Sequence, residues 1–569
     1  MDTYAPNGLI PSLRDGFSDW TWTTLAVLVI STFAVTRFVT GLQSHPNHSE
    51  SGEPQAVRMV PYWFPWIGHG LSLAWDYLSY VEKTGRRIKE PVFGIVLRGV
   101  EQNVVTSLSM AESVLSSPGA SITPMVNHTL KSIFGDRGAI RNLSPASRRE
   151  LDQNSHNLLT RDSNKADGIA PVIRLIKHET PNLVTFCRSP IDQTPWERRC
   201  EVTVSNDEND LFCETDLFTL IRSFVGHTTT SAFMGQALVD AFPGLLDDLR
   251  TLDEQSAILA MGAPRLLSLP WVSAACAARD RLHHALAVFH DAFAAWDDGA
   301  DPGADFRDFD DVSEPVKQQI RIFRKLGLSR HASAPGHLSL LWAMNAQASN
   351  IVFWHVLRIF ADRTLLEDVR KEITPYAKAS RPSCEETGFP FQEPPRFTID
   401  SEGLYSSCPL LRASYYETVR LDSAPLSFRK LTSDLTVTES KEDARAAGIS
   451  RPRTYQLQKT DNVAIPHGIF HRDTERFSNP HQYDPLRFIR TDETGVKRAY
   501  LHTINPSASL LGCQGSAPER EILAFTAAIL AMWNIEPTNE RRFMIPEHKP
   551  ASVAPMPKTD VKVKLRARV

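Results

Sequence analysis

The sequence predicts a mainly α protein with a smaller β region, carried behind an N-terminal transmembrane helix. Three observations predict it. Residues 20–36, WTWTTLAVLVISTFAVT, carry no charge, and Arg37 and a short apolar patch to Leu42 follow; the run approaches the roughly 20 apolar residues that a membrane-spanning helix needs. Helical patterns dominate residues 216–293, 336–373 and 518–533, whereas runs rich in β-branched residues, such as Phe93-Gly-Ile-Val-Leu-Arg and Gln102-Asn-Val-Val-Thr, are short. With 569 residues, 42% of them hydrophobic, the chain can bury a sizeable core. Its formal charge of −4 gives no case for a nucleic-acid partner.

In chain order, residues 1–18 read as a tail, 19–42 as the membrane anchor, 43–70 as a linker and proline hinge, and 71–569 as one globular domain. Two tryptophans at the start of the anchor suit a membrane interface. A cleaved signal peptide fits less well, because Asp2, Asp15 and Asp19 lie in the segment that should be basic. Arg14 and Arg37 flank the span and leave its orientation unread. In the hinge, Pro61-Tyr-Trp-Phe-Pro65-Trp-Ile-Gly68-His forms a stiff turn, which either orients the domain against the membrane or lies on its surface. Residues 141–200 are polar and without a readable pattern. A long helix is expected over 336–362, with His331 ahead of it and His337 in its first turn as ordinary helix-entry residues. Inside it Asn345, Gln347 and Ser349 interrupt an apolar face. Buried amides need partners, so these residues either line a cavity or satisfy one another.

Three later stretches carry candidate chemistry. Glu417 and Arg420, at i and i+3, share a helical face among aromatic neighbours, and form either a solvated pair or a buried one that needs further partners. Arg487 follows in a loop spaced by prolines and aromatics, Phe477 to Phe488, as a third member or a solvated surface arginine. Seven cysteines, at 187, 200, 213, 276, 384, 408 and 513, show no CxxC pair and no zinc spacing, which suits a reduced compartment with at most one cysteine carrying chemistry. Cys513 sits in a loop of small residues just before a helix, where the helix dipole favours a thiolate. Gly515 lets the backbone pass close to a flat ligand. Such a thiolate suits axial ligation of haem iron; the alternative is a buried free cysteine.

The order and spacing of Glu417-x-x-Arg420, Pro485-Leu-Arg487-Phe488 and Cys513-x-Gly515 before a helix resemble a cytochrome P450, over roughly residues 60–565. The resemblance implies a P450-like fold, with residues 71–569 as a haem-thiolate catalytic domain. Glu417, Arg420 and Arg487 would brace the haem-binding core as a buried triad. Cys513 would be the iron ligand, and Arg429 in Pro425-Leu-Ser-Phe-Arg429 the partner of a haem propionate. The helix from Leu341 to Trp354 is similar to that of the sterol 7α-hydroxylase and prostacyclin synthase branch and of fungal biosynthetic members. The implied activity is that of an O2-dependent monooxygenase: hydroxylation, epoxidation or desaturation of a lipophilic small molecule such as a terpenoid, sterol or polyketide in secondary metabolism. Electrons would come from NADPH through NADPH–cytochrome P450 reductase. The implied location is the endoplasmic reticulum, single-pass, with the catalytic domain cytosolic.

The departures are specific. The usual Phe-Gly-Gly-Gly approach to the cysteine is Pro506-Ser-Ala-Ser509, the usual basic residue two before it is Leu511, and the segment after Cys513 is one residue short. Gln347-Ala348 replaces the usual acid–alcohol pair, leaving Asn345, Gln347 and Ser349 as the candidate catalytic side chains. Two other functions stay open: a haem-thiolate isomerase or dehydratase acting without external electrons, and a non-catalytic membrane protein with a decayed haem site.

Overall fold

The computed structural model of the chain describes residues 19–44, 54–75, 77–160, 168–205, 210–260, 269–383, 385, 388, 393–423, 426–500, 517–538, 541–549 and 554–569. These fall into two units, one built from residues 1–121 and 428–466, the other from 122–427 and 467–569. Helices prevail, and the β structure is smaller.

The first unit begins with α1 (Asp19–Leu42). Its segment Trp22–Leu42 is long and apolar enough to cross a membrane. A six-stranded sheet follows, made of β1 (Arg58–Met59), β2 (Val92–Leu97), β3 (Val100–Val105), β4 (Ala120–Ser121), β5 (Ser427–Leu431) and β6 (Asn462–Ile465), in the order β1-β2-β3-β6-β5-β4. β2 and β3 form a hairpin whose tip, Arg98-Gly99, has positive φ at both positions (54° and 74°), the handedness that matches the twist of the flanking strands. β6 then adds in parallel to β3, pairing Asn462 with Gln102. A parallel pairing needs a crossover, and here the crossover contains most of the other unit.

The second unit is a helical assembly around a central helix. Its principal members are α2 (Ala170–Glu179), α3 (Leu217–Met234), α4 (Leu245–Glu254), α5 (Pro270–Asp297), α6 (Arg330–Ala346), α7 (Ala348–Ala361), α8 (Arg363–Ile373), α9 (Pro409–Asp422) and α10 (Ala517–Met532). α2, α3, α7 and α10 pack on one another. Phe224, Phe353, Trp354 and Phe525 are fully buried in this core, each stabilising it by roughly 2–3 kcal/mol. Polar bonds cross the same interfaces: Thr229 donates to Glu521 Oε1 at 2.8 Å, and His355 bridges Thr526 (3.0 Å) and Ser414 (2.7 Å).

The expected helix over 336–362 is corrected in two respects. It starts earlier, at Arg330, because Ser329 accepts the Ala332 N–H and caps it there. Pro335 lies inside the helix and does not break it. A Cβ on Gly336 would stand 2.5 Å from the end of the Ile140 side chain, so a larger residue here displaces that side chain. The helix is also interrupted at Gln347, between α6 and α7. On either side of the break a side chain bonds a carbonyl one turn back: Asn345 Nδ2 to Leu341 O at 2.9 Å, and Ser349 Oγ to Asn345 O at 2.7 Å. Such back-bonds compete with the helical ladder and bend it. The polar stretch 141–200 also folds, into Pro145–Thr160, α2 and Pro195–Arg199.

His337, expected as a helix-entry residue, lies fully buried against α5. Ser333 donates to Arg330 O, so it accepts from His290 Nδ1 (3.0 Å). His290 Nε2 is then the acceptor for His337 Nδ1–H at 2.6 Å. Both imidazoles are neutral in this chain of bonds. Burial lowers the pKa of His337 from 6.5 to about 4, and holds that of His290 well below 6.5. A base neutralised by folding contributes its full stability above the unfolded pKa and loses it as the pH falls through 6.5 toward 4. His337 alone accounts for roughly 3 kcal/mol of that loss. We expect the urea midpoint of the detergent-solubilised chain to fall across this window. The double substitution His290→Leu/His337→Leu should fall distinctly less, and an equal fall in both proteins would contradict the assignment.

Candidate active site

Glu417 and Arg420 stand one turn apart on α9, a helix whose described side chains from Ala413 to Asp422 are all buried. Removing a carboxylate from water demands compensation, and the fold supplies it. Arg420 donates to both oxygens of Glu417, Nε to Oε2 at 2.7 Å and Nη2 to Oε1 at 2.8 Å. The loop after residue 477 brings Arg487 Nε to Oε1 at 3.1 Å, and the Asp484 N–H to the same oxygen at 2.9 Å. Two guanidinium groups on one carboxylate leave an excess positive charge. Backbone carbonyls take it up: His471 O and Pro480 O accept from Arg420, and Ser478 O, Gln482 O and Asp484 O accept from Arg487. Phe477 lies over both guanidinium groups, 4.8 and 5.9 Å from its ring centre. Of the sequence-selected residues, Glu417, Arg420 and Arg487 are therefore brought together.

Asn345 and Ser349 line a cavity of about 560 Å3 between α3, α4 and the central helix. Its inner wall is polar. Arg222 on α3 donates to Asp253 Oδ2 at 2.6 Å, and Trp342 Nε1 to Asp253 Oδ1 at 2.8 Å. Burial pushes the Asp253 carboxyl above its ordinary pKa, against the pull of Arg222. His227, also on the wall, is buried with Nδ1 unpartnered among the described residues, and burial lowers its pKa. The amides of the central helix combine both expected behaviours: Asn345 bonds Thr230 (3.1 Å) and its own helix while facing the cavity, and Gln347 is half-buried at the break.

Arg222, His227, Asp253 and Trp342 escape sequence reasoning because they come from three helices. The one available signal is Asp253, an acid directly beside the apolar stripe Leu245, Leu249 and Leu252 of α4. Cys513 and Gly515 lie outside the described residues. Arg429 belongs to the first unit, on β5, and its one hydrogen bond among the described residues goes to Phe428 O at 2.9 Å. Burial lowers its pKa. Burial also pushes the thiols of Cys213 and Cys408 up to about 12, and that of Cys200 further, so these three resist ionisation.

The fold and this buried ionic cluster define a mainly helical protein with a cavity against a broken central helix, and comparison with known proteins narrows the class. No family profile matches the chain. The chain is similar to the cytochrome P450 monooxygenase poxD of Penicillium oxalicum, 22% identical over 486 residues, which cover 85% of this chain and 88% of that one. It is similar at 22% over 510 residues, 84% of each chain, to the cytochrome P450 monooxygenase efuG of Hormonema carpetanum. Over 188 residues, 33% of this chain and 40% of the other, it is 27% identical to 25-hydroxycholesterol 7-alpha-hydroxylase of Rattus norvegicus. The chain is thus a homologue of cytochrome P450 proteins, among them fungal ones and a sterol 7α-hydroxylase.

Substituting Glu417→Ala strands two buried guanidinium groups, and should cost about 3–5 kcal/mol of stability. Arg487→Ala should cost less, since Arg487 is more exposed (11% against 2% for the Arg420 side chain) and leaves the bidentate pair intact. Chemical denaturation of the two variants beside wild type checks the order; equal losses would contradict the hierarchy.

Proposed function

We propose that this chain is a haem-thiolate monooxygenase with a cytochrome P450 fold, which hydroxylates, epoxidises or desaturates a lipophilic small molecule such as a terpenoid, sterol or polyketide. The observation that carries the reading is the Glu417–Arg420–Arg487 cluster, in a chain that resembles named P450 monooxygenases over more than four-fifths of its length. The relatives' names are those of monooxygenases and a hydroxylase, which favours oxidation over rearrangement.

The residues described fit the group this reading requires. Among the described residues Arg429 makes one hydrogen bond, to a backbone carbonyl, which leaves N–H donors for a propionate. Three of the other cysteines are held as thiols by burial, which supports Cys513, the cysteine directly ahead of α10, as the thiolate ligand. When bound, the haem supplies the oxidising power; the protein supplies pocket, protons and electrostatics. The Glu417 cluster holds α9 against the loop that carries Arg487. Asn345 and Ser349 open onto a cavity beside the polar cluster of Arg222, His227 and Asp253, a surface suited to binding water. This supports Ser349, with Asn345, Gln347 and cavity water, in proton delivery in place of the replaced acid–alcohol pair. Electrons come in this reading from NADPH through NADPH–cytochrome P450 reductase. The apolar helix α1 supports a single-pass membrane protein, which the P450 resemblance in this reading puts in the endoplasmic reticulum with its catalytic part cytosolic.

The test is the absorption spectrum of reduced, carbon-monoxide-treated membranes. Wild type and Cys408→Ser should show the thiolate Soret band, and Cys513→Ser should lose it together with NADPH-dependent oxidation of lipophilic substrates. Loss in Cys408→Ser with retention in Cys513→Ser would reassign the ligand. Absence of the band from folded wild type would overturn the reading.

A further inference from the structure

Two features of the cavity against the central helix are not explained by packing. The first is His227 on α3. It lines the cavity, is 8% exposed, and its ring makes no hydrogen bond among the described residues. Trp196 meets the ring edge-on, with ring centres 5.2 Å apart, but its own N–H goes to Leu183 O. A buried polar side chain without a partner is costly and uncommon in native proteins. The second feature is Gly226, the next residue on the wall, in the middle of a buried helix. Glycine is unfavourable there relative to alanine. A Cβ on it would meet, within 4 Å, only Asn345 Oδ1 among the described residues, at 3.4 Å, an ordinary contact. The protein therefore has room for a side chain at this position, and the room belongs to the cavity.

The surrounding charges define what can enter. Four arginines and four acids line the cavity, and none of the eight is free. Arg222 is paired with Asp253, Arg199 with Asp247 and Arg250 with Glu254. Arg198 donates to the Pro190 and Gln193 carbonyls, and Asp240 accepts from the Gln236 amide. An ionic ligand would have to be desolvated and would have to break one of these arrangements. Trp196, Phe218 and Trp342 add apolar surface. The volume of about 560 Å3 lies within the roughly 300–1,000 Å3 of small-molecule pockets. Burial keeps the His227 imidazole neutral, so it has one donor and one acceptor nitrogen. We propose that this cavity binds a neutral lipophilic molecule through an oxygen the molecule already carries, a hydroxyl or carbonyl that hydrogen-bonds His227 beside Gly226. The proposal deepens the monooxygenase reading, on which it rests for the ligand's role as substrate. The enzyme then acts on an oxygenated intermediate and not on a bare hydrocarbon, and the reaction that supplies it must leave that oxygen in place.

The test uses three probes with one carbon skeleton: farnesol, the hydrocarbon farnesene, and farnesoic acid, ionised at neutral pH. Binding to the full chain in nanodiscs is read by quenching of tryptophan fluorescence, with each probe corrected for its partition into lipid. His227→Phe should weaken farnesol about tenfold, the worth of one hydrogen bond, and leave farnesene unchanged. Gly226→Leu, which suits the helix and fills the space, should weaken both about tenfold or more. Farnesol binding that His227→Phe leaves unchanged, or an equal fall for farnesol and farnesene, overturns the proposal. Tighter binding of farnesoic acid than of farnesol, or wild-type affinity in Gly226→Leu, also overturns it. The thiolate Soret band is recorded on the same samples. A band without His227 dependence removes this proposal and leaves the monooxygenase reading; the expected binding without a band keeps the site and removes that reading.

Discussion

A single carboxylate in the dry interior sets the terms for much of the second unit. Glu417 is fully buried, and its charge is tolerable only because two guanidinium groups and a peptide N–H converge on it. That convergence specifies geometry. It requires α9 to present one face to a loop sixty-odd residues further on, and it requires that loop to turn its own carbonyls toward the surplus positive charge. The same helix carries Ser414, whose hydroxyl meets His355 on α7, and Thr418, which meets the Tyr483 hydroxyl at 3.0 Å. The ionic cluster and the central helix are thus joined through shared elements. Apolar packing of equal volume would hold α9 as firmly but would not select one register of the loop.

The central helix is where function enters the architecture. A continuous helix would present a smooth face; the break at Gln347 replaces that face with side chains turned onto their own backbone. Asn345 and Ser349 do this while lining the cavity, and Arg222, Asp253 and Trp342 complete a polar wall from three helices. Local disorder of the hydrogen-bond ladder and local polarity thus coincide, the combination expected where water or a ligand must reach a helix interior.

Much of this was legible where a physical signal is local. The uncharged run of residues 20–36 stands out without any tertiary information, and so do helices such as Arg363–Ile373, whose apolar spacing is regular. Glu417 and Arg420 could be paired because i, i+3 spacing puts them on one face among aromatics; Arg487 could be added only by order and analogy. What depends on distant neighbours was not legible. The helix expected from residue 336 starts at Arg330 instead, where Ser329 caps it. Gly336 lies against Ile140, almost two hundred residues away. The cavity wall drew on Arg222, Asp253 and Trp342 from three helices, and only Asp253 stood out within its own. The neutral pair His290–His337 gave no sequence signal, since each histidine is explained only by the other.

The first unit is written in two instalments. Its hairpin is complete at Val105, but the strand that pairs with β3 begins at Asn462. During synthesis at about 5–20 residues per second, the interval lasts on the order of half a minute. Throughout it, β3 has an open edge, of the kind that invites pairing with other chains. Vectorial synthesis therefore makes the order of emergence matter. The helix α1 and the aromatic turn packed on it are made before the exposed edge, so the nascent hairpin already has a packed neighbour while its partner strand is still untranslated.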